Sequence, residues 1–472
     1  MDAIAPEPIA RVRALRAALD HPVIDADGHL IESLPLLLEY VGSIGGTEAP
    51  ARVLRALREA TSGLGDARRG DGRGPWWGVT NDARDLACVI SPRLLAERMA
   101  EIGLDFAVLY PTIGLVFPTL AEDEVRRLAC RALNTMNSEL AAPCAERLTV
   151  AAAIPMHTPA EAVAELEHCV RVLGLKAASI PPGVGRPLPA HPEAFPAAQH
   201  VDRFGIDSAH GYDPVWRAFV ELGVAVTSHG AVGLRNLECG RRSPSNYVFN
   251  HIGAHAFQQG ELAKSLVLGG VPHRFPQLTF GFLEGGAGWA CDLLHHLEEH
   301  YEKRNGRGLE RYDPARLDRP ALQAELARGR FPLAQGDATP YPAGAKERPQ
   351  WARDEFEQAG IEAEAQFGEI FAKQFFLGCE ADDRSVYRAL DGKGNPFALR
   401  LNAVFSSDIG HWDVPDLSRV VLDSRRLVDT GLLAETDYRD FVFTNPARLH
   451  LAMNPRFFAD TAVEAAARAV AA

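Results

Sequence analysis

Acidic and imidazole side chains recur at the ends of short apolar segments of this sequence. Asp27 and His29 end the first segment, His229 ends a later one, and Asp408 ends the last. Together they supply two imidazoles and two carboxylates, a set that suits Zn²⁺, Mn²⁺ or Fe²⁺ and leaves room for water. We therefore expect one divalent metal ion on these four residues, with Zn²⁺ as the first candidate.

These side chains meet only if the fold brings the strand ends together. Eight apolar segments alternate with amphipathic helical stretches, and their continuous apolar character is typical of strands covered on both faces. The pattern predicts a distorted (β/α)8 TIM barrel, an α/β fold in which the carboxyl ends of all strands converge at one mouth. The predicted strands are 22–27, 105–111, 148–155, 175–180, 223–229, 278–284, 375–380 and 401–408.

We predict that the barrel occupies residues 22–457, between an N-terminal helical extension (1–21) and a tail (458–472). Two segments near 30–90 and 305–352, rich in Gly, Arg and Pro, interrupt the repeat. Loops of this length usually cap a site or bind a partner, and the alternative is surface without fixed structure.

Three helix starts carry sequence signals. Thr158 and Glu161 have the spacing of a capping box. Asp213 and Asn445 each precede a proline, a pattern that predicts an N-cap followed by proline in the first turn.

Composition narrows the class of protein. A net charge of −13 argues against a nucleic-acid partner. The seven cysteines are scattered without a CxxC spacing, which argues against a disulfide framework or a cysteine zinc site. No stretch approaches the roughly 20 apolar residues of a membrane span, and no signal peptide is recognisable. We expect a cytoplasmic protein that acts on a small molecule, without a membrane partner, and we leave a homodimer open.

The motifs at the strand ends resemble those of the amidohydrolase-related family (amidohydrolase family 2). This group includes aminocarboxymuconate-semialdehyde decarboxylase, resorcylate-type decarboxylases and several ring-fission hydrolases. The resemblance extends from about residue 22 to residue 457. The motifs that carry it include Ile24–His29, Tyr212–Trp216, His229, Leu283–Trp289 and Ser407–His411.

The resemblance implies the same metal ligands, with two departures. Asp27 stands where the best-known decarboxylases of the family have His or Glu, and a carboxylate there still binds metal. Strand six ends in Glu284, where those decarboxylases have a histidine associated with substrate activation. The second departure favours hydrolysis over decarboxylation.

Three residues are catalytic candidates. Asp408 is expected to take a proton from a metal-activated water and return it later. Glu284 and His251 could orient substrate or replace the missing histidine. The alternatives are that Glu284 forms a salt bridge with Arg235 or caps the next helix, and that His251 packs behind the barrel.

Three further residues are candidates for substrate binding: His255, His411 and Trp289. His255 lies four residues after His251, on the same face if the segment is helical. The alternatives are a supporting position behind the ligands or a surface position for His255, a turn cap for His411, and core or lid packing for Trp289.

Three functions remain open at this point. The first is a hydrolase in which metal-activated water attacks a C–N, C–O or C–C bond of a small carboxylated or aromatic substrate. The second is a non-oxidative, metal-dependent decarboxylase of an aromatic or muconate-type acid. The third is a metal-free binding protein on the same barrel.

Overall fold

The strands and helices are those of a computed structural model. It describes residues 7–61, 77–188, 199–230, 243, 245–331 and 354–471. The strands in these ranges are β1 Ile24–Leu30, β2 Phe106–Pro111, β3 Leu148–Ala153, β4 Ala177–Ile180, β5 Val184–Pro187, β6 Gln199–Asp202, β7 Val226–Ser228, β8 Phe280–Phe282, β9 Phe375–Glu380 and β10 Asn402–Ser406.

Helices separate the strands. The α-helices within the described ranges are α1 Glu7–Ala18, α2 Leu34–Gly45, α3 Ala49–Thr61, α4 Ala83–Ile90, α5 Pro92–Ile102, α6 Asp123–Ala141, α7 Pro159–Arg171, α8 Asp213–Leu222, α9 Tyr247–His251, α10 Ala254–Leu268, α11 Val271–Arg274, α12 Gly288–Arg304, α13 Gly306–Leu309, α14 Arg319–Arg328, α15 Glu355–Gln358, α16 Ala365–Lys373, α17 Val386–Asp391, α18 Val420–Asp429, α19 Glu435–Arg439, α20 Asn445–Leu451 and α21 Glu464–Ala471. Short 3₁₀-helices cover Ile113–Thr119, Ala142–Cys144, Glu310–Tyr312, Pro314–Arg316, Pro396–Ala398 and Leu417–Arg419, and a π-helix covers Asp440–Thr444.

Eight strands of the described chain form one sheet in the order β1-β2-β3-β4-β7-β8-β9-β10, and every pair that forms a ladder is parallel. The two ends of this sheet meet at the mouth. Asp408 N donates to Asp27 O at 3.1 Å, and His29 N donates to Ile409 O at 3.0 Å. The predicted (β/α)8 barrel is therefore confirmed.

The strand boundaries differ from those predicted. β1 continues to Leu30, past a bulge between Asp25 and Gly28, so His29 lies inside the strand. The apolar run 223–229 contains only three ladder residues, because the turns beside a barrel strand are buried as well. The antiparallel hairpin β5–β6 is absent from the prediction.

One of the three predicted helix starts is confirmed. Thr158 caps α7 in a complete capping box. Asp213 is not an N-cap, because it is the first residue of α8 and its carboxylate pairs with Arg274. Asn445 is not an N-cap either. The chain enters α20 directly from the π-helix, and the Asn445 amide donates to Ala403 O.

The two predicted insertions differ in character. In the first, α2 and α3 pack against α6 in an apolar cluster of their own that includes Leu37, Val53 and Leu133. In the second, α14 has no buried residue among those described. Residues 62–76 and 332–353 lie outside the described ranges. The predicted domain boundaries remain predictions. Among the described residues, no helix is long and apolar enough to cross a bilayer.

A buried histidine away from the mouth predicts acid sensitivity of the fold. His450 is 1% exposed, stacks on Phe457 at 4.1 Å between ring centroids, and neither ring nitrogen has a hydrogen-bond partner among the described residues. Burial, and then the charge of Lys176, lower its pKa to about 3. An unfolded histidine has a pKa of about 6.5. Between these values the unfolded chain binds the extra proton, so acid favours unfolding.

We expect His450 alone to cost about 2 kcal/mol of unfolding free energy when the pH falls from 7 to 5, at about 1.4 kcal/mol per pH unit below 6.5. In His450→Leu this part of the pH dependence should disappear. Urea unfolding of both proteins at the two pH values measures it. Equal pH dependence in both proteins would show that His450 is protonated as readily in the fold as outside it.

Candidate metal centre

Four side chains from three distant parts of the sequence meet at the mouth. Asp27 and His29 come from β1, His229 follows β7, and Asp408 follows β10. Each is at most 2% exposed. His29 Nε2 lies 3.6 Å from Asp27 Oδ1 and 3.5 Å from Asp408 Oδ1, and His229 Nε2 lies 3.9 Å from Asp27 Oδ1. Ligand atoms about 2.1 Å from one tetrahedral ion are about 3.4 Å apart, so these separations suit a shared metal.

Backbone carbonyls fix the orientation of both imidazoles. His29 Nδ1 lies 3.2 Å from Pro111 O, and His229 Nδ1 lies 3.2 Å from Gly230 O. Because a carbonyl oxygen only accepts, Nδ1 carries the proton in each ring and Nε2 keeps its lone pair. Both lone pairs are therefore available to a metal, in the arrangement usual for metal-binding histidines.

The atoms that face each other here have no other partner. Asp27 Oδ1, His29 Nε2, His229 Nε2 and Asp408 Oδ2 are buried and accept no hydrogen bond from the described residues. Buried polar atoms are nearly always paired, and each unpaired atom costs roughly 1–3 kcal/mol. A divalent cation would satisfy all of these atoms together, so the residues present fit such an ion.

The charges around this point also favour a cation. Burial, and then the neighbouring carboxylates, hold the pKa values of Asp27 and Asp408 well above their ordinary range. Burial lowers the pKa of His29 well below its ordinary value and that of His229 to about 4. A divalent ion favours ionised carboxylates and neutral imidazoles, and so removes the cost of burying this set.

His411 belongs to the same group of side chains. Its ring stacks on His29 at 3.8 Å between centroids, and its Nδ1 lies 2.6 Å from Asp408 Oδ1. Two sets of possible ligands overlap here: Asp27, His29 and His229 form one, and His29, Asp408 and His411 form the other. His411, which we predicted to bind substrate, is therefore also placed to bind metal or to hold Asp408.

Glu284 and Asp408 share an uncommon backbone conformation. Their φ angles are 57° and 51°, in the left-handed region that costs residues other than glycine roughly 1–3 kcal/mol. Each follows the end of its strand, β8 or β10, and its carboxylate faces the other groups at the mouth. Strain of this kind is concentrated at functional sites.

Glu284 lies among three histidines. Its Oε2 is 2.6 Å from His255 Nδ1 and 3.3 Å from His229 Nε2, and its Oε1 is 3.7 Å from His411 Nδ1. Burial alone would raise the pKa of Glu284, but the imidazoles, led by His255, hold this pKa well below its ordinary value. The carboxylate faces the mouth. Arg235, the alternative partner we considered, lies outside the described residues.

Residue 230 must be glycine for this contact to form. A Cβ atom at Gly230 would lie 2.2 Å from His255 Nδ1, closer than real Cβ contacts. The absence of a side chain lets α10 bring His255 against Glu284. His255 is 9% exposed, so it does not occupy the surface position we considered as its alternative.

The family model described as Amidohydrolase matches residues 24–330 of the sequence. The chain belongs to the amidohydrolase family. The match spans β1 to β8 and contains Asp27, His29, His229 and Glu284, and it ends before Asp408. No curated protein matches the sequence.

Several solved structures align with most of this chain. An amidohydrolase from Mycobacterium avium subsp. paratuberculosis K-10 is 16% identical, with a TM-score of 0.52 over 92% of this chain and 100% of that chain. A 2,6-dihydroxybenzoate decarboxylase complexed with 2,6-dihydroxybenzoate is 15% identical, with a TM-score of 0.49 over 91% and 99%. A dihydroxybenzoic acid decarboxylase from Polaromonas sp. JS666, with bound manganese and 2-nitroresorcinol, is 16% identical, with a TM-score of 0.47 over 91% and 97%. At 16% identity, the likeness to the first of these structures concerns the fold alone.

A cavity of about 490 Å³ opens beside the candidate metal ligands of this amidohydrolase-family barrel. Its wall includes four of the predicted site residues: His251, His255, Glu284 and Trp289. The His251 ring lies 5.5 Å from that of His255, at the mouth and not behind the barrel. Trp289 packs edge-on against Phe282 with one side at the cavity.

Sequence reasoning missed several residues at the mouth. Glu380 ends β9, so the same strand-end argument could have found it. Asp25, in the first motif, accepts hydrogen bonds from the Ser407 backbone and hydroxyl, at 2.9 and 2.5 Å, and so ties β1 to the chain beside Asp408. Asp413, within 4.8 Å of Asp408 through a carboxylate oxygen, comes from a loop that carries no sequence signal.

Proposed function

We propose that this chain is a metal-dependent hydrolase in which water adds to a C–N, C–O or C–C bond of a small aromatic substrate. Asp27, His29, His229 and Asp408 would hold one divalent ion. Zn²⁺ is the first candidate, and Mn²⁺ or Fe²⁺ suit the same ligands. When bound, such an ion lowers the pKa of a coordinated water towards about 7 and polarises a substrate oxygen.

The main support for this proposal is the Glu284 carboxylate, which lies beside the ligand atoms. Glu284 Oε2 is 3.3 Å from His229 Nε2, and His255 Nδ1 holds the same oxygen at 2.6 Å. An ionised carboxylate at this place can take a proton from the attacking water and deliver it to the leaving group. Asp408, the other carboxylate at the mouth, is the second candidate for this role.

The cavity wall favours an uncharged substrate over an acid. Three carboxylates, Glu284, Glu380 and Asp383, line it, and no lysine or arginine is among the described residues that do so. Like charges a few ångströms apart repel by about 1–4 kcal/mol near a protein surface. Trp289 and His251 offer aromatic faces. An aromatic ester, lactone or amide meets these conditions better than a carboxylated substrate does.

Decarboxylation is the second candidate, and one observation favours it. On an ion that takes six ligands, such as Mn²⁺, the four proposed ligands leave positions for the carboxylate and neighbouring oxygen of an aromatic or muconate-type acid. The acidic cavity wall and Glu284 at the strand-six position count against this reaction.

A substrate panel separates the two reactions. Protein loaded with Zn²⁺ or Mn²⁺ is incubated in H₂¹⁸O with phenyl esters, aromatic lactones and anilides, and separately with carboxyl-¹³C-labelled hydroxybenzoates and muconate-type acids. We expect ¹⁸O in an acid product and no ¹³CO₂. Release of ¹³CO₂ without hydrolysis of any ester, lactone or amide would replace the hydrolase proposal by the decarboxylase.

A further inference from the structure

Three carboxylates form a second cluster beside the proposed metal ligands. Glu380 stands at the end of β9, Asp413 in the loop after β10, and Asp408 between them. One oxygen from each lies within 4.8 Å of the others. This separation is within the span of oxygen ligands around one cation, which lie about 2.0–2.6 Å from Mg²⁺ or Ca²⁺.

Burial without partners sets this cluster apart from ordinary surface acids. Asp408 is 1% exposed. Its Oδ1 lies 2.6 Å from His411 Nδ1, and its Oδ2 has no hydrogen-bond partner among the described residues. Asp413 Oδ1 is also buried and unpartnered. Adjacent carboxylates repel each other when both are ionised. In the described part of the chain, neither Glu380 nor Asp413 forms an ion pair with lysine or arginine that would offset this repulsion.

A single divalent ion cannot neutralise all the carboxylates at the mouth. The carboxylates of Asp27, Glu284, Glu380, Asp408 and Asp413 together carry five negative charges when ionised. One divalent ion on the proposed ligands neutralises two of them. The remaining charge is concentrated on the side of Glu380 and Asp413.

We propose that Glu380, Asp408 and Asp413 hold a second divalent cation, with Asp408 bridging it to the first. An all-oxygen set prefers hard ions such as Mg²⁺, Mn²⁺ or Ca²⁺, whereas the imidazoles of the first site also accept Zn²⁺. The two sites share only Asp408, so each can be lost without the other. Glu380 also lines the cavity, so the second ion would bind an oxygen of the substrate there.

Mn²⁺ is the probe for this second site. The full-length chain is stripped of metal, saturated with Mn²⁺ and desalted, and its bound manganese is measured by elemental analysis and electron paramagnetic resonance. We expect two ions per chain with an exchange-coupled signal. Glu380→Gln and Asp413→Asn should each keep one ion and lose the coupling. The control Asp382→Asn removes a neighbouring exposed carboxylate and should keep both ions.

The possible outcomes separate this inference from the proposed function. One ion per chain in the wild type, lost in His229→Ala and kept in Glu380→Gln, would overturn the second site and leave the first intact. Two ions retained in both Glu380→Gln and Asp413→Asn, with circular dichroism confirming the fold, would also overturn it. One ion that is lost in Glu380→Gln and Asp413→Asn but kept in His229→Ala would support the second site and contradict the proposed function.

Discussion

His229→Ala is expected to abolish tight metal binding and, with it, at least about 10³-fold of the turnover, equivalent to about 4 kcal/mol of transition-state stabilisation. His229 Nε2 is buried and has no partner among the described residues other than the groups of the proposed metal site. Loss of an outer-shell partner alone typically costs 10–100-fold in metal affinity, so loss of a ligand should cost more.

Thermal unfolding with and without added metal measures this loss. A ligand at about 1,000 times its Kd stabilises a folded protein by about 4 kcal/mol, and His229→Ala should show little of this gain. His210→Ala, at an exposed histidine outside the mouth, is the matched control and should behave as the wild type. If His229→Ala binds as much metal as the wild type and is stabilised by it to the same extent, His229 is not a metal ligand. A wild type that binds negligible metal would favour the metal-free binding protein.

Glu284→Gln is expected to keep the metal and to lower kcat by about 10²–10⁴, the usual contribution of a positioned acid or base. The substitution preserves the shape of the side chain and removes its charge. Glu284 Oε2 lies close enough to His229 Nε2, at 3.3 Å, to be either a base or a metal ligand. Metal content measured beside kcat decides between the two roles.

His255 provides an internal check on the role of Glu284. Its Nδ1 contacts Glu284 Oε2 at 2.6 Å, so we treat it as a positioning residue. His255→Gln should lower kcat less than Glu284→Gln does, and the double variant should be no slower than Glu284→Gln alone, because residues that act as a unit are not additive. An unchanged kcat in Glu284→Gln would show that Glu284 is not the general base. Loss of metal in the same variant would make Glu284 a ligand.

The barrel could be predicted because its strands are marked by burial. Continuous apolar runs gave all eight strands in their correct order, since parallel strands are covered on both faces. Their ends were less accurate. The run 278–284 contains the ladder Phe280–Phe282 only, because burial continues past the last ladder hydrogen bond. The hairpin β5–β6 was missed because it is short and polar, with Arg186 paired to Asp202.

The site was predictable to the extent that topology alone determines it. Strand ends converge in a barrel, which brings Asp408 to within 3.5 Å of His29 although the two are far apart in the sequence. The contact between Glu284 and His255 was not predictable. It depends on a left-handed φ angle at Glu284 and on space above Gly230, neither of which a strand-and-helix pattern specifies.

Anomalous diffraction from crystals soaked in Mn²⁺ tests the metal centre most directly, because it locates the ion independently of any substrate. The strongest peak should lie about 2.0–2.3 Å from Asp27 Oδ1, His29 Nε2, His229 Nε2 and the Asp408 carboxylate. No peak at the mouth, or a peak whose ligands exclude both histidines, would contradict the metal centre on which the proposed chemistry depends.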